Sequence, residues 1–327
     1  MTGAREGHII SGRMILKTTG LTKIFDTGLG KKVAAVEDLD LEVAAGEIFG
    51  FVGPNGAGKT TTIKMLMGLI FPTRGKAYIF DAPIPSESAK ARLGYLPEHP
   101  AYHDFLTGAE AMRFFATLVG VPRAEQARRI DELLGLVGLA DAGGRQIRKY
   151  SKGMQQRLGI AQALVSDPAL VVLDEPMSGL DPIGRREMRD LILELKRRGK
   201  TVFFSTHILP DVETLCDRVG VIVQGRLRDV GRLGELLSAR VTSVELTAAL
   251  PPGRREPVAA GRVISEEGER VTAVFQDTAA ADAAVAAVLA AGGRVVALTP
   301  HRETLEDFFL RRLQEGGGAR QGARPTG

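Results

Sequence analysis

The chain has 327 residues, 44% hydrophobic and 25% charged, an ordinary globular balance and a length that suits about two domains at roughly 150 residues each. Its 43 basic and 39 acidic side chains leave a formal charge of +4, too mild to argue for nucleic acid as a partner. A single cysteine, Cys216, excludes an internal disulfide framework or a cysteine metal cluster and points to a reducing, cytoplasmic setting.

The opening MTGAREGHIISGRMIL has no continuous apolar core of the kind a signal peptide carries. No later run reaches about 18 apolar residues, so no transmembrane helix is expected. Residues 14–235 alternate short apolar strands with amphipathic helices, the pattern of an α/β domain with a mainly parallel sheet. Strands are predicted over 48–52, 170–173 and 201–205. A helix is predicted over 60–69, with Ile63, Leu66, Met67 and Ile70 on one face. Between these strands, residues from about 87 to 165 read as a helical subdomain, with helices over 109–119 and 125–137 on either side of Pro122. Met188, Leu191, Ile192 and Leu195 mark a further helix. Composition shifts near residue 240, and the Pro251-Pro252-Gly253 run is a loop signal. Strands over 241–246, 271–275 and 295–298 and helices over 278–291 and 303–313 make a small α+β domain. The expected divisions are thus 14–240, 241–313, and a disordered tail over 314–327.

Chemistry concentrates at Gly53-Pro54-Asn55-Gly56-Ala57-Gly58-Lys59-Thr60, which fits G-x-x-x-x-G-K-[ST] and lies between a strand and a helix. Glycines let backbone N–H groups turn inward around a β-phosphate without a Cβ clash. The helix that follows points its positive dipole end at the same phosphate. Lys59 supplies a point charge between β- and γ-phosphates, and Thr60 offers a hydroxyl to Mg²⁺. This loop alone defines a nucleoside triphosphatase and does not choose among GTPases, kinases and helicases.

Asp174 and Glu175 stand just past the apolar run Ala169–Leu173, at the strand end where α/β sheets bind ligands. Asp174 suits a Mg²⁺ ion, a hard cation that prefers oxygen. Glu175 is placed to orient and deprotonate an attacking water. Loop acids that cap helices are the simpler alternative. His207 ends a third apolar strand and can stabilise charge developing on a γ-phosphate, although a lone histidine is commonly structural.

Together these elements resemble the ATP-binding cassette family, the ATPase subunits of ABC transporters, over residues 14 to about 240. The discriminating run is Tyr150-Ser151-Lys152-Gly153-Met154-Gln155-Gln156-Arg157, similar to the family signature Leu-Ser-Gly-Gly-Gln followed by Gln-Arg. The resemblance implies a homodimer in which Ser151 and Gly153 of one subunit contact the γ-phosphate held by the other. It implies ATP contacts from Gly53, Pro54, Asn55, Gly56, Ala57, Gly58, Lys59, Thr60 and the adjoining Thr61, with Phe25 stacking on adenine. Tyr95-Leu96-Pro97-Glu98 occupies the Q-loop, with Glu98 approaching Mg²⁺. Ser178-Gly179-Leu180-Asp181 resembles the D-loop, with Asp181 toward the nucleotide, and His207 becomes the switch histidine. Lys152 and Met154 replace a glycine and the glutamine of the signature, and Glu98 replaces the usual Q-loop glutamine.

Those departures resemble the exporter-type ATPases that pair with ABC-2 permeases, a group handling drugs, lipids, polysaccharides or ions. Thr304-Leu305-Glu306-Asp307-Phe308-Phe309-Leu310 is similar to the ending of their accessory domains. The implied protein is an α/β P-loop cassette with a helical subdomain and a small C-terminal α+β domain. It would bind ATP and Mg²⁺, hydrolyse ATP, and sit on the inner face of the cell membrane through a separate permease. A cassette ATPase acting on ribosomes or DNA is the alternative. One phosphate loop argues against the two-cassette translation factors. Only 92 residues separate Lys59 from Ser151, too few for the long coiled coil of chromosome ATPases.

Overall fold

The computed structural model describes residues 13–28, 32–237, 241–251, 253–302 and 304–317. Two long strands, β1 (Met14–Asp26) and β2 (Lys32–Ala44), pair antiparallel. Next come β3 (Ile48–Val52), α1 (Lys59–Leu66), β4 (Arg74–Ile79), β5 (Ala82–Pro83), α2 (Glu87–Lys90) and β6 (Leu93–Leu96). The helices α3 (Gly108–Leu118), α4 (Arg123–Leu136) and α5 (Lys152–Ala163) follow, then β7 (Leu170–Asp174), α6 (Pro182–Arg197), β8 (Thr201–Thr206), α7 (Leu209–Leu215), β9 (Arg218–Val223) and β10 (Arg226–Arg232).

Six strands form one sheet in the order β10-β9-β3-β8-β7-β6, parallel except for the β9–β10 hairpin. β3, β7 and β8 are buried at every residue, as the central strands of a covered parallel sheet must be. Phe49 and Phe203 stack at 5.7 Å between ring centroids, and Phe51 leans on the same Phe203 ring. This centre holds the strand ends that carry the phosphate loop, the acidic pair and the histidine.

A second sheet, β2-β1-β4-β5, is wholly antiparallel, and the sequence reading of one mainly parallel sheet overlooked it. β1 and β2 are half exposed. One wet face dilutes the apolar run by which a buried strand is recognised. The helical segment also differs at its start. β6 belongs to the six-stranded sheet, paired Leu93 to Leu170 through Leu96 to Leu173, so the helical bundle proper is α3, α4 and α5. Thr107 closes a capping box with Glu110 at the start of α3, which fixes its first turn. Pro122 stands at the head of α4, where its missing N–H costs nothing.

The chain divides into two compact units, one of residues up to 233 together with those from 312 onward and the other of residues 234–311. The division falls seven residues before the predicted 241, just inside the one-turn helix α8 (Leu233–Leu236). The second unit holds β11 (Val241–Ala249), β12 (Arg262–Glu267), β13 (Arg270–Phe275), α9 (Thr278–Ala290) and β14 (Arg294–Arg302). Its sheet runs β12-β13-β11-β14, all antiparallel. Val244, Leu246, Val271 and Phe275 meet Ala281, Ala284 and Val288 of α9 in its core. β12 is exposed at all six positions, so it carries no alternation for a sequence reading to find. α10 (Leu305–Gly317) continues through 314–317, which were expected to be tail. The rest of that predicted tail, 318–327, lies outside the described residues.

Candidate nucleotide site

The phosphate loop is a bend forced by packing as much as by its ligand chemistry. A Cβ on Gly53 would strike the Ile222 carbonyl oxygen of β9, and one on Gly58 would strike the Ala35 carbonyl oxygen of β2. Gly58 also has φ 106°, a left-handed value that side chains rarely adopt, and it caps α1 without any side-chain acceptor. The first N–H groups of α1 therefore face the loop's concave side, where an anion can take them. Lys59 curls back over the loop. Its ammonium donates to the Gly53 carbonyl at 2.7 Å and the Pro54 carbonyl at 3.2 Å, and it pairs with Glu175 Oε1 at 3.1 Å.

The acidic pair comes from the end of β7, which β8 separates from β3. β7 runs parallel to β8 with Asp174 opposite Ser205. Asp174 Oδ1 accepts from the Ser205 hydroxyl at 2.6 Å and the Thr60 hydroxyl at 3.3 Å. Glu175 turns out of the strand at φ 48°. Its N–H donates to Ser205 Oγ at 2.9 Å, and its Oε2 lies 2.9 Å from His207 Nδ1. Glu175 thus spans the Lys59 ammonium and the His207 ring with its two oxygens.

Electrostatics describe a site short of positive charge. Burial raises the Asp174 carboxyl above its ordinary range. The Ser205 and Thr60 hydrogen bonds oppose that rise, and the Glu98 and Glu175 charges add to it. Tyr95 is pushed up to about 12, first by burial and then by Asp174 and Glu98. Three carboxylates face one ammonium here. Among the described residues no group of three or more His, Cys, Asp and Glu side chains makes a metal cage. Asp174 and Thr60 are hard oxygen donors beside excess negative charge. Such a set fits Mg²⁺, which takes one or two protein oxygens and completes its shell with water and phosphate.

A cleft of about 350 Å³ gathers Asn55, Gly56, Gly58, Lys59, Thr60, Thr61, Glu98, Glu175 and His207, together with Ala35 and Ser178. Gly53 and Pro54 contribute the carbonyls that hold Lys59. Ala57 is buried beneath the loop, its own carbonyl accepting from the Gly225 N–H. Phe25 stands apart on β1, in register with Val33, its exposed ring under the Lys23 ammonium at 5.1 Å. Ser151 caps α5 by accepting from the Met154 N–H at 3.2 Å. Asp181 does the same for α6 through the Gly184 N–H at 2.7 Å. Ser151, Gly153 and Asp181 do not line this cleft. The sequence reading missed two polar groups. Ser205 carried only the signal of a hydroxyl in an apolar strand. Gln156, buried on α5, donates from Nε2 to the Glu98 carbonyl at 3.1 Å and ties the signature helix to the Q-loop.

A phosphate loop, an acidic strand end and a histidine on one parallel sheet define a nucleotide-hydrolysing cassette. The family model described as ABC transporter matches residues 36–178. An uncharacterized ABC transporter ATP-binding protein of Nostoc sp. is 43% identical over 307 residues, covering 92% of this chain and 90% of that protein. The fluoroquinolones export ATP-binding protein of Mycobacterium tuberculosis is 41% identical over 232 residues, covering 70% of this chain and 74% of that one. A solved ATP-binding subunit of an ABC transporter superposes with a TM-score of 0.60 at 32% identity, over 68% of this chain and 91% of that one. The chain belongs to the ATP-binding subunits of ABC transporters and is an ATPase. The resemblance to exporter-type subunits holds among these relatives.

Proposed function

We propose that two copies of this chain close around two ATP–Mg²⁺ and drive export through a separate membrane permease. The observation that carries the reading is Glu175 held between Lys59 at 3.1 Å and His207 at 2.9 Å, at the mouth of the phosphate loop. A triphosphate entering the loop offers Lys59 a stronger anionic partner and releases Glu175 to take the proton of an attacking water. His207 then stabilises charge that develops on the γ-phosphate. Thr60 and Asp174 would hold Mg²⁺, with Glu98 approaching from the Q-loop, and the metal would neutralise phosphate charge. Gly53 to Thr61 line the triphosphate, and Phe25 stacks on adenine.

Ser151 and Gly153 reach the ATP held by the second copy, with Asp181 crossing the same junction. Ser151 is exposed and spends one acceptor on its own helix, which leaves its hydroxyl proton for a phosphate. Export as the direction of transport rests on the fluoroquinolones export relative. No helix among the described residues is long and apolar enough to cross a membrane, and the permease is proposed as a different chain of the ABC-2 kind. The apolar side chains Phe105, Phe114 and Leu118, 67%, 58% and 70% exposed on the helical subdomain, are the surface we assign to it. This arrangement keeps the subunit on the inner face of the cell membrane. The test is membrane fractionation of the tagged chain followed by identification of what co-purifies. An integral protein with about six apolar spans is expected, and recovery with ribosomes or DNA instead would overturn the reading.

A further inference from the structure

Ser205 belongs to none of the motifs, yet its hydroxyl bonds both members of the acidic pair. It is 0% exposed on β8, directly across from Asp174. Its proton goes to Asp174 Oδ1 at 2.6 Å, and its lone pair receives the Glu175 N–H at 2.9 Å. A hydroxyl can do both at once because it is donor and acceptor together. Each bond does separate work. The donated bond, short as bonds to a carboxylate are, fixes the rotamer of Asp174. It falls on the same oxygen as the Thr60 bond, which leaves Oδ2 as the acceptor for a hydrated cation. The accepted bond holds the first N–H beyond the end of β7, where Glu175 takes φ 48°. That left-handed turn is strained for a residue with a side chain. It is also the turn that brings the Glu175 carboxylate to Lys59 and His207.

We propose that Ser205 is a positioning residue for the ATPase reaction, locking the cation-holding carboxylate and the water-activating carboxylate into one rigid unit through a single hydroxyl. The proposal rests on the reading of Asp174 as the Mg²⁺ residue and Glu175 as the base. Loss of the hydroxyl then has two consequences with different readouts. Mg²⁺ is gripped less well, and Glu175 is aimed less well even when Mg²⁺ saturates. Contacts of the phosphate loop with ATP should be left alone, because Ser205 makes no bond to Lys59 or to the loop amides.

The test measures ATP affinity by calorimetry with excess EDTA and again with Mg²⁺, alongside Mg²⁺-saturated turnover. In Ser205→Ala, ATP affinity in EDTA is expected within twofold of wild type. The gain in affinity on adding Mg²⁺ should fall about tenfold, and saturated turnover should fall 10- to 100-fold. Ser205→Cys keeps the volume while replacing the hydroxyl with a weak thiol donor, and should lose the Mg²⁺ gain as the alanine does. Ser205→Thr keeps the hydroxyl on a strand-favouring residue and should recover gain and turnover to within about threefold. A folded alanine or cysteine variant with the wild-type Mg²⁺ gain and turnover overturns the proposal, as does a folded threonine variant as impaired as the alanine. Asp174→Asn separates the two levels of the argument. It should abolish the Mg²⁺ gain. If it leaves the gain intact, the Mg²⁺ reading itself fails, whereas loss in Asp174→Asn with full retention in Ser205→Ala overturns the Ser205 proposal alone.

Discussion

Lys59 and Ser151 are two polar groups at helix starts that live in opposite circumstances. Lys59 is buried and holds three partners, the Gly53 and Pro54 carbonyls and the Glu175 carboxylate. Ser151 is exposed and accepts a single bond from the next turn of its own helix. Around Lys59 the chain supplies its own counter-charges, with Asp174, Glu175, Ser205 and His207 joined in one network. Around Ser151 it offers an unburied hydroxyl and the signature glycine. A rigid half and an open half are what the proposed site, shared between two copies, would require. Preorganised dipoles act on a reaction without rearranging, while in the proposed dimer the open half would complete the site on assembly.

Removing the charge at the centre of the rigid half should have the largest effect. Lys59→Ala takes away the main cationic partner of the triphosphate and leaves Glu175 without its ammonium partner. ATP binding by calorimetry with Mg²⁺ should weaken more than about 100-fold, with turnover lost. An affinity within twofold of wild type would mean that the loop is no phosphate cradle. Glu175→Gln cuts the same half more selectively. It should keep ATP binding and lose about 10²–10⁴-fold in hydrolysis, because an amide cannot accept the proton of water. The uncleaved ATP should then hold two chains together in light scattering.

Ser151→Ala probes the open half, with an expected loss of about tenfold in turnover and unchanged ATP affinity for a single chain. The helix cap lost with it costs roughly 1 kcal/mol, so Ser151→Asn, which keeps the cap and lacks the hydroxyl, is the necessary companion. Equal impairment of both ties the loss to the hydroxyl. Full activity in the asparagine variant would reduce Ser151 to a cap and remove it from the shared site.

The rigid half was legible in the sequence where its parts are contiguous strings of fixed spacing. Gly53 to Thr60 and Leu170 to Glu175 each hold their own strand-end geometry, and the parallel α/β class follows from the strand and helix alternation around them. What joins those strings was not legible. The Lys59–Glu175 pair, the Ser205 bridge and the Gln156 hold on the Glu98 carbonyl are cross-element contacts set by sheet order and strand register. The left-handed turn at Glu175 was hidden for a similar reason, since the bond from its N–H to Ser205 Oγ comes from the neighbouring strand and not from the local sequence. The antiparallel sheet β2-β1-β4-β5 and the exposed β12 escaped because a strand with a wet face loses the apolar run that marks a buried one.

Glu98 stands between the two halves, and changing it should have the smallest effect. It follows β6, lines the cleft beside Thr60 and Glu175, and has its carbonyl held by Gln156 of the signature helix. Its side chain therefore belongs to the rigid half while its backbone is tied to the open one. A carboxylate at this place attracts Mg²⁺ but repels the triphosphate, and its charge already opposes ionisation of Asp174. Glu98→Gln removes both the attraction and the repulsion and keeps one oxygen acceptor. Turnover should stay within about tenfold, roughly 1.4 kcal/mol of barrier. Glu98→Ala removes the oxygen as well and should cost more, with a higher Mg²⁺ requirement. The check is steady-state ATPase across a Mg²⁺ titration with the permease present. If wild type, glutamine and alanine give equal rates and equal Mg²⁺ dependence, Glu98 is a solvated loop acid, and the link between the halves must run through Gln156 and the Glu98 backbone alone.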